Sequence, residues 1–428
     1  MKKAIVVGSG AGGATAAREL QGSFEVTVLE EGGEFRHFGL NLSLMQRFKK
    51  MGLMVDARLI PLLFPAMRIR RSADLVMING RGTGGTTTIS AGNGLRVDGD
   101  LKKLGIDLDP EFDELARDVP LSTAHQKRWR PATRRLHEAF QARGLNPQPI
   151  PKLGRYELCR GCGRCILGCP YGVKWDSRRF LADAVQRGAR LVTRCRVEKL
   201  ETRGGLATGV WARRGGRRRF YPADAVILAA GGLGTPVILQ SSSIPCEPRL
   251  FVDPVVTVAA EWKGADQDRE VSMPFVSQRD GYILSPYFDY LSFFFEKGWR
   301  PNLGDTMGVM IKVADSMEGR VTRSGLQKSL TARDKERLAA GIEDCAGIFE
   351  DAGVDRGSLF FGMTNAGHPG GMLPLGPREA ESLHSPLLPA NVYVADATLI
   401  PESLGNPPIL TILALARRVS RLCRENFA

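Results

Sequence analysis

The stretch Lys3-Ala4-Ile5-Val6-Val7-Gly8-Ser9-Gly10-Ala11-Gly12-Gly13 decides the fold. Lys3 to Val7 is a short apolar run rich in β-branched residues, the pattern of a buried parallel strand. It runs into Gly8, Gly10 and Gly13, spaced G-x-G-x-x-G. Ala14 to Leu20 then reads as helix, and Glu25 to Glu30 as a second strand ending in an acid. Gly8 allows the tight turn, Gly10 lets the backbone approach a pyrophosphate, and Gly13 lets helix and strand pack closely. The helix N-terminus offers unpaired N–H groups to phosphate. Glu30, about twenty residues beyond Gly10, can accept hydrogen bonds from an adenosine ribose. A lone glycine fingerprint is weak, but one set between strand and helix with the acid in place indicates dinucleotide binding. Spacing alone does not separate FAD from NAD; the position at the extreme N-terminus favours FAD.

The rest of the chain bounds the reading. Its 428 residues are 43% hydrophobic and 25% charged, which describes a globular protein and excludes disordered, collagen-like or coiled-coil chains. No stretch reaches the roughly 18 uninterrupted apolar residues of a membrane-spanning helix. The net charge is +13. Its arginines fall in separate clusters without interleaved aromatics (Arg68, Arg70 and Arg71; Arg128 and Arg130; Arg213 to Arg219). An acidic protein partner therefore fits better than nucleic acid. The first residues lack the apolar length and cleavage site of a signal peptide, so a cytoplasmic location is expected. Eight cysteines there argue for metal or redox use over disulfides.

Three further segments extend the pattern. Arg81-Gly82-Thr83-Gly84-Gly85-Thr86-Thr87-Thr88 is a glycine–threonine loop with donors for a cofactor. Ala223 to Ser243 reads as buried strand, glycine turn and helix. The C-terminal part runs from His368-Pro369-Gly370-Gly371 through Val392-Tyr393-Val394-Ala395-Asp396 to Gly405-Asn406-Pro407-Pro408-Ile409-Leu410-Thr411 and a final helix. In this order the segments resemble the glucose–methanol–choline (GMC) flavoprotein oxidoreductases, most closely their cholesterol-oxidase-like branch. The resemblance spans both ends and the middle of the chain and is weakest from about Phe251 to Asn365.

The resemblance implies an α/β fold in which a Rossmann-like FAD-binding domain (residues 1–250 and 371–428) interleaves with a smaller, sheet-based α+β substrate domain (residues 251–370). A cysteine-rich insert occupies about 155–175, and Gly205 to Asp224 reads as a hairpin turning at Gly215-Gly216. The resemblance further implies that Gly84, Gly85 and Thr86 face the cofactor, that Val197 lies near the adenine, and that Asp396 bonds the ribityl or phosphate region. Family members oxidise an alcohol by hydride transfer to flavin, which requires a proton acceptor for the hydroxyl. His368 resembles the family's active-site histidine and Asn406 its partner amide. Ser90 departs from the family pattern, which often has asparagine there. The other histidines, His37, His125, His137 and His384, lack such context and read as surface residues.

Cys159, Cys162, Cys165 and Cys169, followed by Pro170, have the spacing C-x2-C-x2-C-x3-C-P of a bacterial ferredoxin run, which points to a [4Fe–4S] cluster. The fourth ligand is Cys169 or a distant thiolate such as Cys195. Zinc fits the overlapping pairs poorly, and a family feature built of plain thiols remains an alternative. A cluster would take electrons from flavin one at a time and pass them to an acidic acceptor protein.

Two apolar segments have two readings each. Tyr287 to Phe295 is either the wall of a pocket for a hydrophobic alcohol or a core strand. Leu53 to Met67 is a cofactor lid or a peripheral membrane contact. Two other functions share the same features: a reductase with reversed electron flow, and an electron-transfer flavoprotein subunit. The second of these has no use for a proton acceptor beside the flavin.

Overall fold

A computed structural model describes residues 1–52 and 60–427. Lys2–Val7 (β1) lies at the centre of a five-stranded parallel sheet, between Phe24–Leu29 (β2) and Ala225–Leu228. Arg190–Val192 and Val392–Val394 form its two edges. Ala4 to Val7 are all buried, as expected of a parallel strand covered on both faces. Helix α1 (Ala11–Glu19) begins three residues earlier than the sequence suggests. It packs on helices Arg178–Gln186 and Ile409–Phe427.

Two glycines make the turn between β1 and α1. Gly8 sits at φ +97°, where an L side chain is strained. A Cβ on Gly13 would lie 2.0 Å from the Gly8 carbonyl oxygen, so α1 comes this close to the turn only without a side chain there. The apolar run after Ala223 resolves as expected into the strand Ala225–Leu228 and the helix Gly231–Ser241.

A second, nine-stranded sheet is mainly antiparallel. Its centre is Val255–Glu261 paired with Thr306–Val313, flanked by Tyr282–Pro286 and Phe275–Arg279. It also takes in Met67–Arg71 and Val76–Gly80 from the N-terminal half, the latter parallel to Asn365–Ala366. Helix Ala332–Asp351 covers this sheet. It starts at a capping box: the Thr331 hydroxyl accepts from the Asp334 N–H (3.2 Å), and the Asp334 carboxylate accepts from the Thr331 N–H (2.9 Å). Such a cap is worth about 1 kcal/mol. The hairpin expected before residue 225 is present as Leu206–Arg214 paired with Arg217–Pro222.

Of the two readings of Tyr287 to Phe295, the core strand fails, and so does the surface reading of His125. Tyr290–Phe295 is helix because Asp289 caps it by accepting from the Ser292 N–H at 3.0 Å. This cap outweighs the β preference of the aromatic run. His125 is buried, not superficial. Its Nε2 bonds the Ile150 carbonyl at 2.9 Å, and its Nδ1 accepts from the Trp129 indole N–H at 3.1 Å. Burial holds its pKa down at about 4, so it is a neutral core residue.

Of the apolar segment Leu53 to Met67, residues 53–59 lie outside the described residues. The remainder holds a short helix, Ile60–Leu63. Among the described residues no helix is long and apolar enough to cross a membrane.

Candidate active site

A cavity of about 550 Å³ opens at the C-terminal ends of the parallel strands. Four strands run into it: β1 ends at Gly8, β2 at Glu30, Ala225–Leu228 at Ala229, and Val392–Val394 at Asp396. Ligands of open α/β sheets bind at this end.

Most residues singled out in the sequence meet here. Gly8, Gly10, Glu30, Gly85, Thr86 and Val197 line the cavity, and so do Asp396 and His368. Gly13 does not; it lies against the Gly8 carbonyl. Gly84 stands behind the lining at φ +88° and starts the turn Gly85–Ile89, with its N–H donating to Ser9 Oγ at 3.3 Å.

The Glu30 carboxylate accepts from the Ser9 N–H (3.1 Å) and hydroxyl (2.6 Å) and from the N–H groups of Gly32 (2.8 Å) and Gly82 (3.2 Å). It therefore ties the glycine fingerprint to the glycine–threonine loop. Burial pushes its pKa up, against these donors. Asp396 accepts from Thr235 Oγ1 (2.5 Å) and from the N–H groups of Gly231 (2.8 Å) and Thr398 (2.9 Å). It thus locks the start of helix Gly231–Ser241 to the strand end it follows. Burial raises its pKa too.

His368 is held by a carboxylate that sequence reasoning missed. Its Nδ1 lies 3.3 Å from Oδ2 of Asp253. Asp253 is fully buried, at φ +52°. Its Oδ2 also accepts from Lys312 Nζ, and its Oδ1 from Ser403 Oγ (2.5 Å) and the Gly405 N–H (3.3 Å). A second buried pair, Lys328–Asp315 at 2.7 Å, supports the first: Asp315 accepts from the Asp253 N–H at 2.8 Å.

The charges fix the ionisation states. Burial would raise the Asp253 pKa, but the Lys312 ammonium and His368 outweigh it and hold it down at about 2. Burial, aided by the Lys312 charge, lowers the His368 pKa against the pull of Asp253. The imidazole is therefore neutral at neutral pH, with Nδ1–H donated to Asp253. Among the described residues Nε2 has no hydrogen-bond partner, so it is free to accept a proton. A signal for this network was visible: Asp253 and Lys312 are lone charges inside the apolar runs Leu250–Val258 and Met307–Val313.

Asn406 is placed differently from the expectation. Its Oδ1 accepts from Gln278 Nε2 at 2.9 Å, and its Nδ2 donates to Gln278 Oε1 and the Leu404 carbonyl, both at 3.3 Å. It does not line the cavity, where Pro408 and Ile409 stand instead.

A second cavity of about 110 Å³ is walled by apolar side chains, among them Phe38, Met45, Phe64, Ile89, Tyr290 and Phe294. The aromatic segment read two ways in the sequence is thus pocket wall. Ile78 faces this cavity while the next residue, Asn79, lines the larger one.

All eight cysteines are free. Cys159, Cys162, Cys165 and Cys169 line one small cavity, with Tyr156 and Lys174. Among the described residues no group of three or more His, Cys, Asp or Glu side chains is placed to hold a metal ion. The expected metal site is therefore not shown, and a single zinc ion has no site. Cys195 sits apart, in the wall of the large cavity, 3.5 Å from the Tyr221 hydroxyl.

The family model described as GMC oxidoreductase matches residues 3–257. The chain belongs to the GMC oxidoreductase family. An uncharacterised protein of Methanocaldococcus jannaschii is 24% identical over 97% of this chain and 98% of its own. An uncharacterised GMC-type oxidoreductase of Mycobacterium tuberculosis is 34% identical over 58% of this chain and 40% of its own. A long-chain-alcohol oxidase of Arabidopsis thaliana is 24% identical over 56% and 34%. Pyridoxine 4-oxidase of "Mesorbium loti" shares the fold, with a TM-score of 0.71, 16% identity, and coverage of 98% of this chain and 99% of that one.

The GMC family implies FAD, and the residues present fit it. The fingerprint turn has no side chain at Gly8 or Gly10, and Thr86, Glu30 and Asp396 line the same cavity. Gly8, Gly10 and Thr86 would hold the pyrophosphate, Glu30 the ribose, Val197 the adenine, and Asp396 the ribityl chain.

Proposed function

We propose that this GMC oxidoreductase is an FAD-dependent dehydrogenase of the CH–OH group of an apolar alcohol, with an acidic one-electron carrier protein as acceptor. The observation that carries the reading is His368: a neutral imidazole, anchored by Asp253, in the wall of the cavity that gathers the dinucleotide residues. Bound FAD supplies the hydride acceptor. Nε2 of His368 takes the hydroxyl proton of the alcohol, and Asp253 stabilises the imidazolium that results. Because the Asp253–Lys312 pair is buried and ordered before substrate arrives, this stabilisation costs no rearrangement during the step.

The apolar cavity beside the larger one supports a hydrophobic substrate, as does the partial likeness to a long-chain-alcohol oxidase. The excess of Lys and Arg supports an acidic acceptor. Cys159, Cys162, Cys165 and Cys169 would hold the iron–sulfur cluster that such an electron exit requires. Eight unpaired thiols accord with a cytoplasmic location.

Anaerobic titration of the flavin-loaded protein with alcohols of increasing chain length tests the reading. The flavin absorbance bleaches with apolar alcohols and not with short polar ones. A flavin that no alcohol bleaches overturns it.

A further inference from the structure

We propose that Cys159, Cys162, Cys165 and Cys169 together hold one [4Fe–4S] cluster, with Cys169 as the fourth ligand. The spacing matches the ferredoxin run, and the structure adds three observations that do not depend on spacing. The four thiols line a single cavity, whereas Cys195 lies in the flavin cavity wall and takes no part. In a cubane each thiolate binds a different iron, so the ligands surround a body, not a point. Among the described residues, all four cysteines and no other thiol line this cavity.

The second observation is Tyr156. Its side chain is buried in the wall of this cavity, and among the described residues its hydroxyl has no hydrogen-bond partner. An orphaned buried hydroxyl costs about 1–3 kcal/mol. A sulfide or thiolate of a cluster is the acceptor it lacks.

The third is charge. Lys152 and Lys174 are buried, and their ammonium groups donate to neutral acceptors. Lys152 holds Asn93 Oδ1 and the carbonyls of Ser272 (2.6 Å) and Met273 (2.8 Å). Lys174 holds the carbonyls of Thr87 (3.1 Å), Thr88 (2.8 Å) and Ser90 (2.8 Å). The neighbouring carboxylates are engaged elsewhere: Asp176 by Arg178 at 2.8 Å, and Glu270 by the N–H groups of Arg130 and Val271, each at 2.8 Å. A buried cation without an anion is costly. A cubane with four thiolates is a net anion and supplies the missing charge.

Lys174 also links the two centres, since Thr87 and Ser90, whose carbonyls it holds, line the flavin cavity. The use of the cluster as an electron exit rests on the flavin reading; its presence does not. The two electrons gained from the alcohol leave reduced flavin one at a time. Each reduces the cluster by one unit and passes to the one-electron carrier protein, which is the oxidant. The flavin's proton goes to solvent.

The test is iron, acid-labile sulfide and flavin analysis of the full chain purified anaerobically and reconstituted with ferrous iron and sulfide. About four irons and four sulfides per chain are expected, with an electron paramagnetic resonance signal on dithionite reduction. Cys195→Ser keeps the cluster, and Cys162→Ser or Cys169→Ser loses its signal. Flavin-loaded protein that takes up neither iron nor sulfide, or that takes up zinc instead, overturns the cluster and leaves the flavin reading standing. A cluster in protein that cannot bind flavin does the reverse.

Discussion

Nδ1 of His368 lies 3.3 Å from Oδ2 of Asp253, a fully buried carboxylate that Lys312 keeps ionised. The two residues are 115 positions apart, and they meet behind the cavity wall, which His368 lines. The carboxylate fixes one tautomer and leaves Nε2 as the proton acceptor.

Asp253→Asn keeps the shape of the side chain and removes its charge. Flavin reduction by substrate should slow by about two orders of magnitude, the scale of a positioned acid–base group. The pH profile separates this role from a structural one. Neutral imidazole is the active form, so the rate falls as pH drops through the His368 pKa, which lies below its ordinary value. Asp253 raises that pKa, so its loss should move the acid limb to still lower pH; stopped-flow reduction across pH reads the shift. Stability follows the same charge. Asp253 has its pKa lowered to about 2, so its contribution is whole above the ordinary carboxylate range and is lost as pH falls towards 2. The variant also strands Lys312 without a partner, at a cost of about 3–5 kcal/mol, which thermal melts would show.

Asn406→Ala distinguishes the structure from the family resemblance. With its amide engaged by Gln278 and outside the cavity lining, the variant should reduce flavin within about tenfold of wild type, far short of losing a general acid or base. A loss of a hundredfold or more at unchanged flavin content would return Asn406 to the reacting end.

Gly13→Val puts carbon where the Gly8 carbonyl oxygen stands, 2.0 Å from the ideal Cβ position. The helix must move off the turn, at about 1–3 kcal/mol for overpacking. Flavin retention after gel filtration should drop along with the melting temperature, because the displaced turn is the one that faces the cofactor.

What could be read from the sequence divides by distance along the chain. The Gly8–Gly10–Gly13 turn and Glu30 were legible because turn, helix start and acid fall within thirty residues at spacings set by backbone geometry. Asp396 and His368 were reached through resemblance to a family, and the cavity does bring them together. Asp253 was not found, since nothing local says which loop will fold against a lone acid in an apolar run. Tyr290–Phe295 shows the competing local signal: six residues with aromatic β preference turn into helix because Asp289 caps them. The burial of His125 has no local signal in the sequence, because one of its two partners, Ile150, comes from a segment 25 residues away.

The most direct measurement compares wild type with His368→Ala, both loaded with FAD and mixed anaerobically with the best apolar alcohol in a stopped-flow spectrometer. The wild-type flavin bleaches, and the variant binds flavin equally but bleaches at least about a hundredfold more slowly. Equal rates, or a wild-type chain that stays colourless after reconstitution, would contradict the account.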